Sequence, residues 1–340
     1  MISPLPIEII GGGLAGLSLG LALRRTGVPV TLHEAGTYPR HRVCGEFITG
    51  LDPSTIERLG LGPLLEDVLR HHEVAWFIHD QPPRIQQLPA AALGLSRFVL
   101  DARLARAFVA AGGDLQTSSR VTDLDPRPGR IFATGRRRGK PTWLGLKLHA
   151  RHLELTRELE LHLGAAAYVG LAQIEGGAVN VCGLFRRQAV VGRGATLLPA
   201  YLRATGLDRL AARLDAAELD SSSCSAVAAL DFDRHVEPSE RLSLGDACAM
   251  IPPFTGNGMA MAFQSAELAL DPLLAYAAGT ATWSDTCDAT QAALHGQFRL
   301  RLASADLLHP FLLQPRRQHW LAALSRARLI PFRPLYASLH

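Results

Sequence analysis

The spacing of apolar and polar positions changes along the chain, and the changes predict an α/β protein. Apolar runs at 7–10 and 28–33 are typical of buried parallel strands, and a helix is predicted at 17–25 between them. Gly27 lies just past that helix, at a usual stop position. Four later runs, 143–149, 156–163, 166–174 and 177–185, predict antiparallel strands, with a turn at 175–177. Helix is predicted for 195–219 and for most of 283–340.

One of these strands carries a strict alternation of polar and apolar residues. The run 158–163 reads Glu-Leu-Glu-Leu-His-Leu. Successive side chains of a strand point to opposite faces, so we expect one face to be buried and the other to be wet or to face a pocket.

A glycine pattern lies between the first strand and the first helix. Gly11, Gly13 and Gly16 form G-x-G-x-x-G, and Glu34 follows the second strand. In this arrangement the first glycine permits a tight turn, the second lets the backbone approach a pyrophosphate, and the third lets helix and strand pack. The acidic residue binds ribose hydroxyls, which suits FAD or NAD better than NADP. The alternative is a glycine-rich turn of another α/β protein.

A second glycine-rich segment lies more than two hundred residues later. It comprises Gly-Asp-Ala at 245–247 and Pro-Pro-Phe-Thr-Gly-Asn-Gly-Met at 252–259, followed by a predicted helix at 259–270. Gly256 and Gly258 leave backbone N–H groups uncovered, and a helix N-terminus there would stabilise negative charge on a reduced flavin. Asp246 has the alternative role of an ordinary helix cap.

The segment 39–47, Pro-Arg-His-Arg-Val-Cys-Gly-Glu-Phe, resembles the P-R-x-K-x-C-G-E segment of the geranylgeranyl-reductase-like flavoproteins. That family belongs to the larger group with the p-hydroxybenzoate hydroxylase fold. The segments 96–101, 133–136, 143–149 and 245–259 are similar to further motifs of the family. The resemblance covers about residues 5–275.

The resemblance implies an α/β fold with a Rossmann-like FAD-binding domain (three-layer ββα), an inserted antiparallel-sheet substrate domain and a C-terminal helical tail. We expect the discontinuous FAD domain at 1–72, 96–140 and 228–280, the substrate domain at 73–95 and 141–227, and the tail at 281–340. FAD is expected to be tightly but non-covalently bound, with NAD(P)H as transient electron donor. The implied cofactor-binding residues are Gly11, Gly13, Leu14, Ala15, Gly16, Glu34, Ala35, Arg42, Cys44, Gly45, Arg97, Val121, Thr134, Gly135, Gly245, Asp246, Pro253, Gly256, Asn257, Gly258 and Met259.

Five further roles are open to alternatives. Cys44 and Glu46 are the candidate catalytic residues, as proton donor or relay; a small buried thiol and a solvated loop carboxylate are the alternatives. Lys147, His149 and Tyr168 are candidate substrate-binding residues on the predicted sheet. For Lys147 and His149 the alternative is the wet side of a strand.

The chain also departs from the family. The stretch 121–135 leaves little room for the β-meander usual there, and 136–140 is rich in arginine where many relatives have D-G-x-x-S. The aromatic signature Y-x-W-x-F-P of isoprenoid reductases is not evident, and Tyr168 stands in the comparable place.

These observations predict an FAD-dependent oxidoreductase. A monooxygenase of secondary metabolism that uses NAD(P)H on a small hydrophobic or aromatic metabolite is the leading hypothesis. A flavin-dependent ene-reductase that saturates an isoprenoid or polyketide is the close alternative, and a non-catalytic flavin-binding module is a third. The segment 245–259 argues against an NAD-linked dehydrogenase without flavin.

Composition narrows the possible classes of partner and cellular location further. The net charge of +4, from 35 basic and 31 acidic residues, implies no long-range attraction to nucleic acid. No apolar run could span a bilayer, and no secretion signal is evident, so we expect a cytoplasmic protein, a monomer or dimer. Five scattered cysteines fit a reducing compartment, and no metal site is expected. The basic, aromatic tail has three alternatives: packing on the flavin domain, covering the substrate pocket, or peripheral contact with a membrane.

Overall fold

The computed structural model describes residues 3–78, 81–136, 139, 142–230, 232, 240–327, 329 and 332–339. Of the arginine-rich stretch 136–140, only Arg136 and Gly139 are among them. The strands are β1 (Ile7–Ile10), β2 (Val30–His33), β3 (Phe47–Ile48), β4 (Leu69–Ile78), β5 (Arg84–Gly94), β6 (Asp114–Gln116), β7 (Arg130–Phe132), β8 (Trp143–Arg151), β9 (Leu159–Gly164), β10 (Ala167–Gln173), β11 (Val179–Arg186) and β12 (Glu218–Ala228). The helices are α1 (Leu14–Arg25), α2 (Pro53–Leu59), α3 (Arg97–Ala110), α4 (Leu197–Ala204), α5 (Asp208–Asp215), α6 (Gly258–Ala277), α7 (Trp283–Leu313), α8 (Pro315–Arg326) and α9 (Phe332–Leu339).

A four-stranded parallel sheet with the order β6-β2-β1-β7 forms the first layer. The predicted strand–helix–strand unit is confirmed as β1, α1 and β2. Helix α1 begins at Leu14, three residues before the predicted start, and is buried along most of its length because it packs against both α3 and α6. This packing explains its nearly continuous apolar sequence, since a helix covered on several sides needs no polar stripe.

An eight-stranded sheet with the order β12-β8-β11-β10-β9-β4-β5-β3 forms the second layer. The four predicted antiparallel strands are confirmed as β8 to β11. The hairpin β4–β5 extends the sheet, and β4 joins β9 in a parallel pairing. Helices α4 and α5 pack with one face of this sheet in a core of their own.

Two local predictions are confirmed only in part. Most of the segment 195–219 is helical, as α4 and α5, and the two helices are separated at Gly206, whose φ of +75° is left-handed. The prediction is wrong at its end, where β12 begins at Glu218. The polar positions of the alternating run in β9 are not wet, because Glu160 and His162 are 2% and 6% exposed, but Glu160 lines a cavity, so the pocket-facing alternative holds there. Their burial is compensated by a contact between them of 2.8 Å and by Arg213, 2.9 Å from Glu160.

Two other predictions are confirmed. Residues 117–129 contain no strand or helix, which agrees with the short segment where a β-meander is usual. The tail is helical, as α7, α8 and α9. Among the described residues, no helix is both long and apolar enough to cross a membrane.

Candidate functional site

The two glycine-rich segments meet at one cavity. Its volume is about 1230 Å³, and its walls come from the eight-stranded sheet, from the segments that follow β1 and β7, and from the C-terminal helices. From the first segment it is lined by Gly13, Leu14 and Ala15, and from the second by Gly245, Asp246, Pro253, Gly256, Gly258 and Met259. Segments far apart in sequence thus line the same cavity.

The three glycines of G-x-G-x-x-G occupy different surroundings. A Cβ on Gly11 would lie 2.2 Å from the oxygen of Ala133, and Gly11 has a φ of +112°. A Cβ on Gly16 would lie 2.1 Å from the oxygen of Gly11, so this glycine permits close packing of α1 on the β1 turn. A Cβ on Gly13 would meet no atom within 4 Å and would project into open space. The second glycine therefore leaves the backbone accessible to a ligand, as a pyrophosphate requires.

Two helix N-termini open at this cavity. Gly13 is the N-cap of α1 and Asn257 that of α6, and neither N-terminus is capped by a side-chain hydrogen bond. Uncapped first-turn N–H groups and the positive end of the helix dipole favour an anionic ligand. The N-termini of α1 and α6 are therefore both available to an anionic ligand in the cavity.

Arginines add positive charge around the same region. Arg42 and Arg97 both bind Asp101, at 2.9 and 2.7 Å, and both line the cavity together with Arg136. Asp246 is exposed to the cavity but enclosed by protein, and this enclosure raises its pKa, opposed by the charges of the three arginines. The arrangement suits a ligand with phosphates and hydroxyls.

Cys44 lines the cavity as predicted, together with Gly45, Thr134 and Gly135. Burial raises the pKa of its thiol, and the nearby charge of Arg97 opposes the shift only in part. Asn180 fixes the loop by donating its side-chain amide to the Cys44 carbonyl, at 2.9 Å. At neutral pH Cys44 is a thiol that can donate a proton, and not an activated thiolate.

Glu34 lies outside the cavity lining, and protein groups bind its carboxylate. It accepts hydrogen bonds from the backbone N–H of Gly12 at 3.0 Å and of Gly36 at 2.8 Å, and from Arg40 at 2.8 Å. A ribose would therefore compete with Arg40 for this carboxylate. Ala35 and Val121 also lie outside the lining.

Four further predicted residues are buried away from the cavity wall. Lys147 and His149 both contact Glu46, which is fully buried, so these positions of β8 face neither the cavity nor solvent. Asn257 is also fully buried; its amide donates to the Leu339 carbonyl and its oxygen accepts from Thr49 at 3.2 Å.

The rest of the cavity is predominantly apolar. Tyr168, predicted from the sequence, lines it, and burial raises the pKa of its hydroxyl well above the ordinary value. Arg84, Gln86 and Glu160 are polar lining residues on β5 and β9. The apolar lining includes Val74, Trp76, Ile78, Leu161, Leu184, Leu230, Phe232, Phe254, Leu308, Phe311, Leu312, Leu321, Phe332, Leu335, Tyr336 and Leu339.

Comparisons with known sequences give short matches to two kinds of oxidoreductase. No protein-family model matches the chain. It is 26% identical over 132 residues to menaquinone reductase of Mycolicibacterium smegmatis, which covers 37% of this chain and 32% of that protein. It is 32% identical over 84 residues to squalene monooxygenase of Mus musculus, covering 24% and 15%. The matches thus span a third or less of these curated relatives.

Solved structures match over nearly the whole chain. The flavin-dependent brominase Bmp2 has a TM-score of 0.74 at 17% identity and covers 98% of this chain and 92% of its own. HpxO of Klebsiella pneumoniae, solved with FAD, has a TM-score of 0.75 at 16% identity, with 98% and 97% covered. A geranylgeranyl bacteriochlorophyll reductase-like protein of Thermoplasma acidophilum has a TM-score of 0.73 at 16% identity, with 94% and 90% covered. The chain has the fold of these flavoproteins. The resemblance inferred from the motifs is confirmed at the level of fold.

Sequence reasoning on this flavoprotein fold missed part of the cavity wall. Trp76 and Phe254 line the apolar part of the cavity, and His41 lines it beside the predicted Arg42. Of the three alternatives for the tail, the structure agrees with covering of the pocket, because α7, α8 and α9 all line the cavity. Leu308, Phe311 and Leu312 are spaced by three and four residues, which is the signal that one helix face is buried there.

Proposed function

We propose that this chain is an FAD-dependent oxidoreductase acting on an apolar small molecule. The single observation that carries the proposal is that both glycine-rich segments line one cavity, which continues into an apolar chamber. A nucleotide-binding surface joined to an apolar pocket is the arrangement expected of a flavin site with its substrate.

The residues present fit FAD at several points. Gly13, Leu14 and Ala15 would bind the pyrophosphate, with the positive charges of Arg42 and Arg97 nearby. Asp246 would face the ribityl chain, and the loop from Pro253 to Gly258 would lie along the ring. FAD when bound would supply hydride chemistry, and we propose NAD(P)H as its transient donor.

Within this class we favour a monooxygenase on a hydrophobic or aromatic metabolite. The chamber walls from β4, β9, α7 and α9 are aliphatic and aromatic, so they bury an apolar substrate and exclude water from the reacting atoms. Oxygen transfer to a substrate requires such exclusion, because water would otherwise compete with the substrate for the reactive oxygen.

One observation favours an ene-reductase as the second candidate. Cys44 lines the cavity as a neutral thiol. Saturation of a double bond needs a proton as well as a hydride, and a thiol at the cavity wall could supply it. The similarity to menaquinone reductase supports a reductase acting on a lipid-like substrate.

Anaerobic titration of the FAD-loaded protein with NADPH or NADH, followed by air, tests the proposal. Bleaching of the flavin bands and their recovery with release of peroxide supports the oxidoreductase and favours the oxygenase branch. Turnover of an alkene without oxygen would favour the reductase. A bound flavin that stays oxidised with the nicotinamides and with dithionite, or that air does not reoxidise after reduction, would contradict the proposed activity.

We also propose a reducing compartment for the protein. All five cysteines are free, and Cys287 is buried. Free, dispersed thiols are typical of cytoplasmic proteins.

A further inference from the structure

A chain of four ionisable side chains runs from the cavity wall into the protein. His41 lines the cavity, and its Nδ1 lies 3.2 Å from Nζ of Lys147. Lys147 Nζ lies 3.2 Å from Oε1 of Glu46, and the other carboxylate oxygen, Oε2, lies 2.6 Å from Nε2 of His149. Each member is thus within hydrogen-bonding distance of the next.

The fold holds each member in place. Lys147 and His149 are two residues apart on β8 and so project from the same face. Glu46 has a left-handed φ of 57° and accepts a hydrogen bond from the backbone N–H of Arg97 at 3.0 Å. His41 stacks on Phe98, with ring centroids 4.5 Å apart.

The burial of this chain is costly and calls for an explanation. The side chains of Lys147 and Glu46 are both completely buried. An ion pair out of water is seldom more stable than an apolar pair of similar volume, because desolvation offsets the Coulomb attraction. Neither Lys147 nor Glu46 lines the cavity, so their presence is not explained by contact with a ligand.

The contacts define the protonation of His41. The Lys147 ammonium donates to Nδ1, so the neutral ring carries its own proton on Nε2. Burial and the charge of Lys147 lower the pKa of His41, and His149 acts in the same direction, while Glu46 and Asp220 oppose it. A neutral imidazole that accepts a proton at one nitrogen while releasing another from the second nitrogen acts as a proton relay.

We propose that His149, Glu46, Lys147 and His41 form a proton relay that supplies the cavity during substrate reduction. This inference rests on the proposed function. A substrate double bond that takes a hydride from reduced flavin at one carbon needs one proton at the other. Dioxygen that takes a hydride needs one proton to become hydrogen peroxide.

In either case the proton leaves Nε2 of His41, and Lys147 returns one to Nδ1. The imidazole regains its Nε2–H tautomer by exchanging protons with solvent before the next turnover. His149 then restores the proton of Lys147 through the Glu46 carboxylate, and His149 is recharged from solvent. His41 is the proposed catalytic residue, and the other three are positioning and relay residues.

The kinetic test needs neither a nicotinamide nor the natural substrate. FAD-loaded protein is photoreduced without oxygen and mixed with oxygenated buffer, and reoxidation is followed at the flavin bands in H₂O and D₂O across pH. Lys147→Met should slow reoxidation by about 100-fold, the lower end of what a positioned general acid contributes. Its rate should also rise as pH falls, because protons then come from solvent. The wild-type rate should vary little over the neutral range.

A matched control tests whether the loss of any side-chain contact to a buried carboxylate in this sheet has the same effect. His162 contacts Glu160 at 2.8 Å in the same sheet but lies outside the cavity lining. His162→Gln should reoxidise at the wild-type rate and pH dependence. Equal slowing in Lys147→Met and His162→Gln, or a wild-type rate in Lys147→Met, would overturn the relay.

A second readout uses the chain without FAD. Histidine side-chain NMR should show the pKa of His41 below its ordinary value in wild type and higher in Lys147→Met, because a positive charge has been removed. An unchanged His41 titration would also overturn the relay. If Lys147→Met does not fold because Glu46 is left as an unpaired buried charge, the double variant Glu46→Gln/Lys147→Met replaces it in both tests, since it removes the two buried charges together. A protein that takes up no FAD would refute the proposed function, while the NMR result would still judge the His41–Lys147 contact.

Discussion

Replacement of Gly13 by alanine should separate ligand binding from folding. A Cβ on Gly13 would meet no atom within 4 Å, so the methyl group disturbs no packing of the chain itself. Gly13 is the N-cap of α1 with extended backbone angles, φ −87° and ψ −171°, that any residue adopts. The apo-protein should therefore lose no more than about 1 kcal/mol of unfolding free energy, the scale of an N-cap change.

The same methyl group would project into the cavity, where we propose that the backbone approaches a pyrophosphate. The loss of one hydrogen bond to a charged group is worth about 1.5–3 kcal/mol, which corresponds to roughly 10- to 150-fold in Kd for FAD. Gly16→Ala should do the opposite. Its Cβ would lie 2.1 Å from the Gly11 oxygen, and overpacking of this kind costs about 1–3 kcal/mol of stability.

The assay combines chemical denaturation of the apo-protein with titration by FAD, followed by quenching of flavin fluorescence. Gly62→Ala is the matched control, because Gly62 also has open space at its Cβ position but lies outside the cavity lining. It should leave FAD affinity unchanged. If Gly13→Ala bound FAD as tightly as Gly62→Ala does, the proposed pyrophosphate site at α1 would be refuted.

Three further changes have defined outcomes. Asp101→Asn removes the fully buried partner of Arg97 and should cost about 3–5 kcal/mol of unfolding free energy, measured by urea denaturation; a cost near zero would contradict the pairing. The pKa of Glu160 is lowered from 4.5 to about 2, so its stabilisation is complete above pH 4.5 and is lost as pH falls to about 2. Wild type should therefore exceed Glu160→Gln by about 3 kcal/mol at neutral pH, and the gap should close across that window. Asn257→Ala loses the hydrogen bond to the Leu339 carbonyl, so amide hydrogen exchange in α9 should quicken while that of α1 stays unchanged. Equal protection of α9 in the variant and the wild type would show that this hydrogen bond does not hold α9 in place.

Local patterns predicted the unit of β1, α1 and β2. The short β1 strand, the glycines and the acidic end of β2 all depend on neighbouring residues, so a single sequence contains the whole signal. The roles of Gly11 and Gly16 follow from the turn and the helix packing, and the structure agrees with both.

Positions set by distant contacts could not be predicted in the same way. Lys147 and His149 alternate with apolar residues as on a half-exposed strand, yet Glu46, about a hundred residues earlier, meets both and makes their burial possible. Glu160 is likewise buried because Arg213, on α5, reaches it. A local pattern contains no information on which remote charge will compensate a buried one.

The strand at the end of 195–219 and the enclosure of the cavity have the same explanation. The apolar positions of that segment suit a helix, and the strand at Glu218 forms because β8 offers a free edge to β12. The tail covers the cavity because α7 packs on α6 and the buried Asn257 binds the backbone of α9 at Leu339. Tertiary pairing decides both outcomes.

The most direct test of the central claim is reconstitution of the purified chain with FAD. The protein is stripped of cofactor, shown to be folded by circular dichroism, and titrated with FAD while absorbance and fluorescence are recorded. The account predicts saturable uptake of a single FAD per chain, with perturbed flavin bands. A folded chain that leaves the spectrum of added FAD unchanged would contradict it.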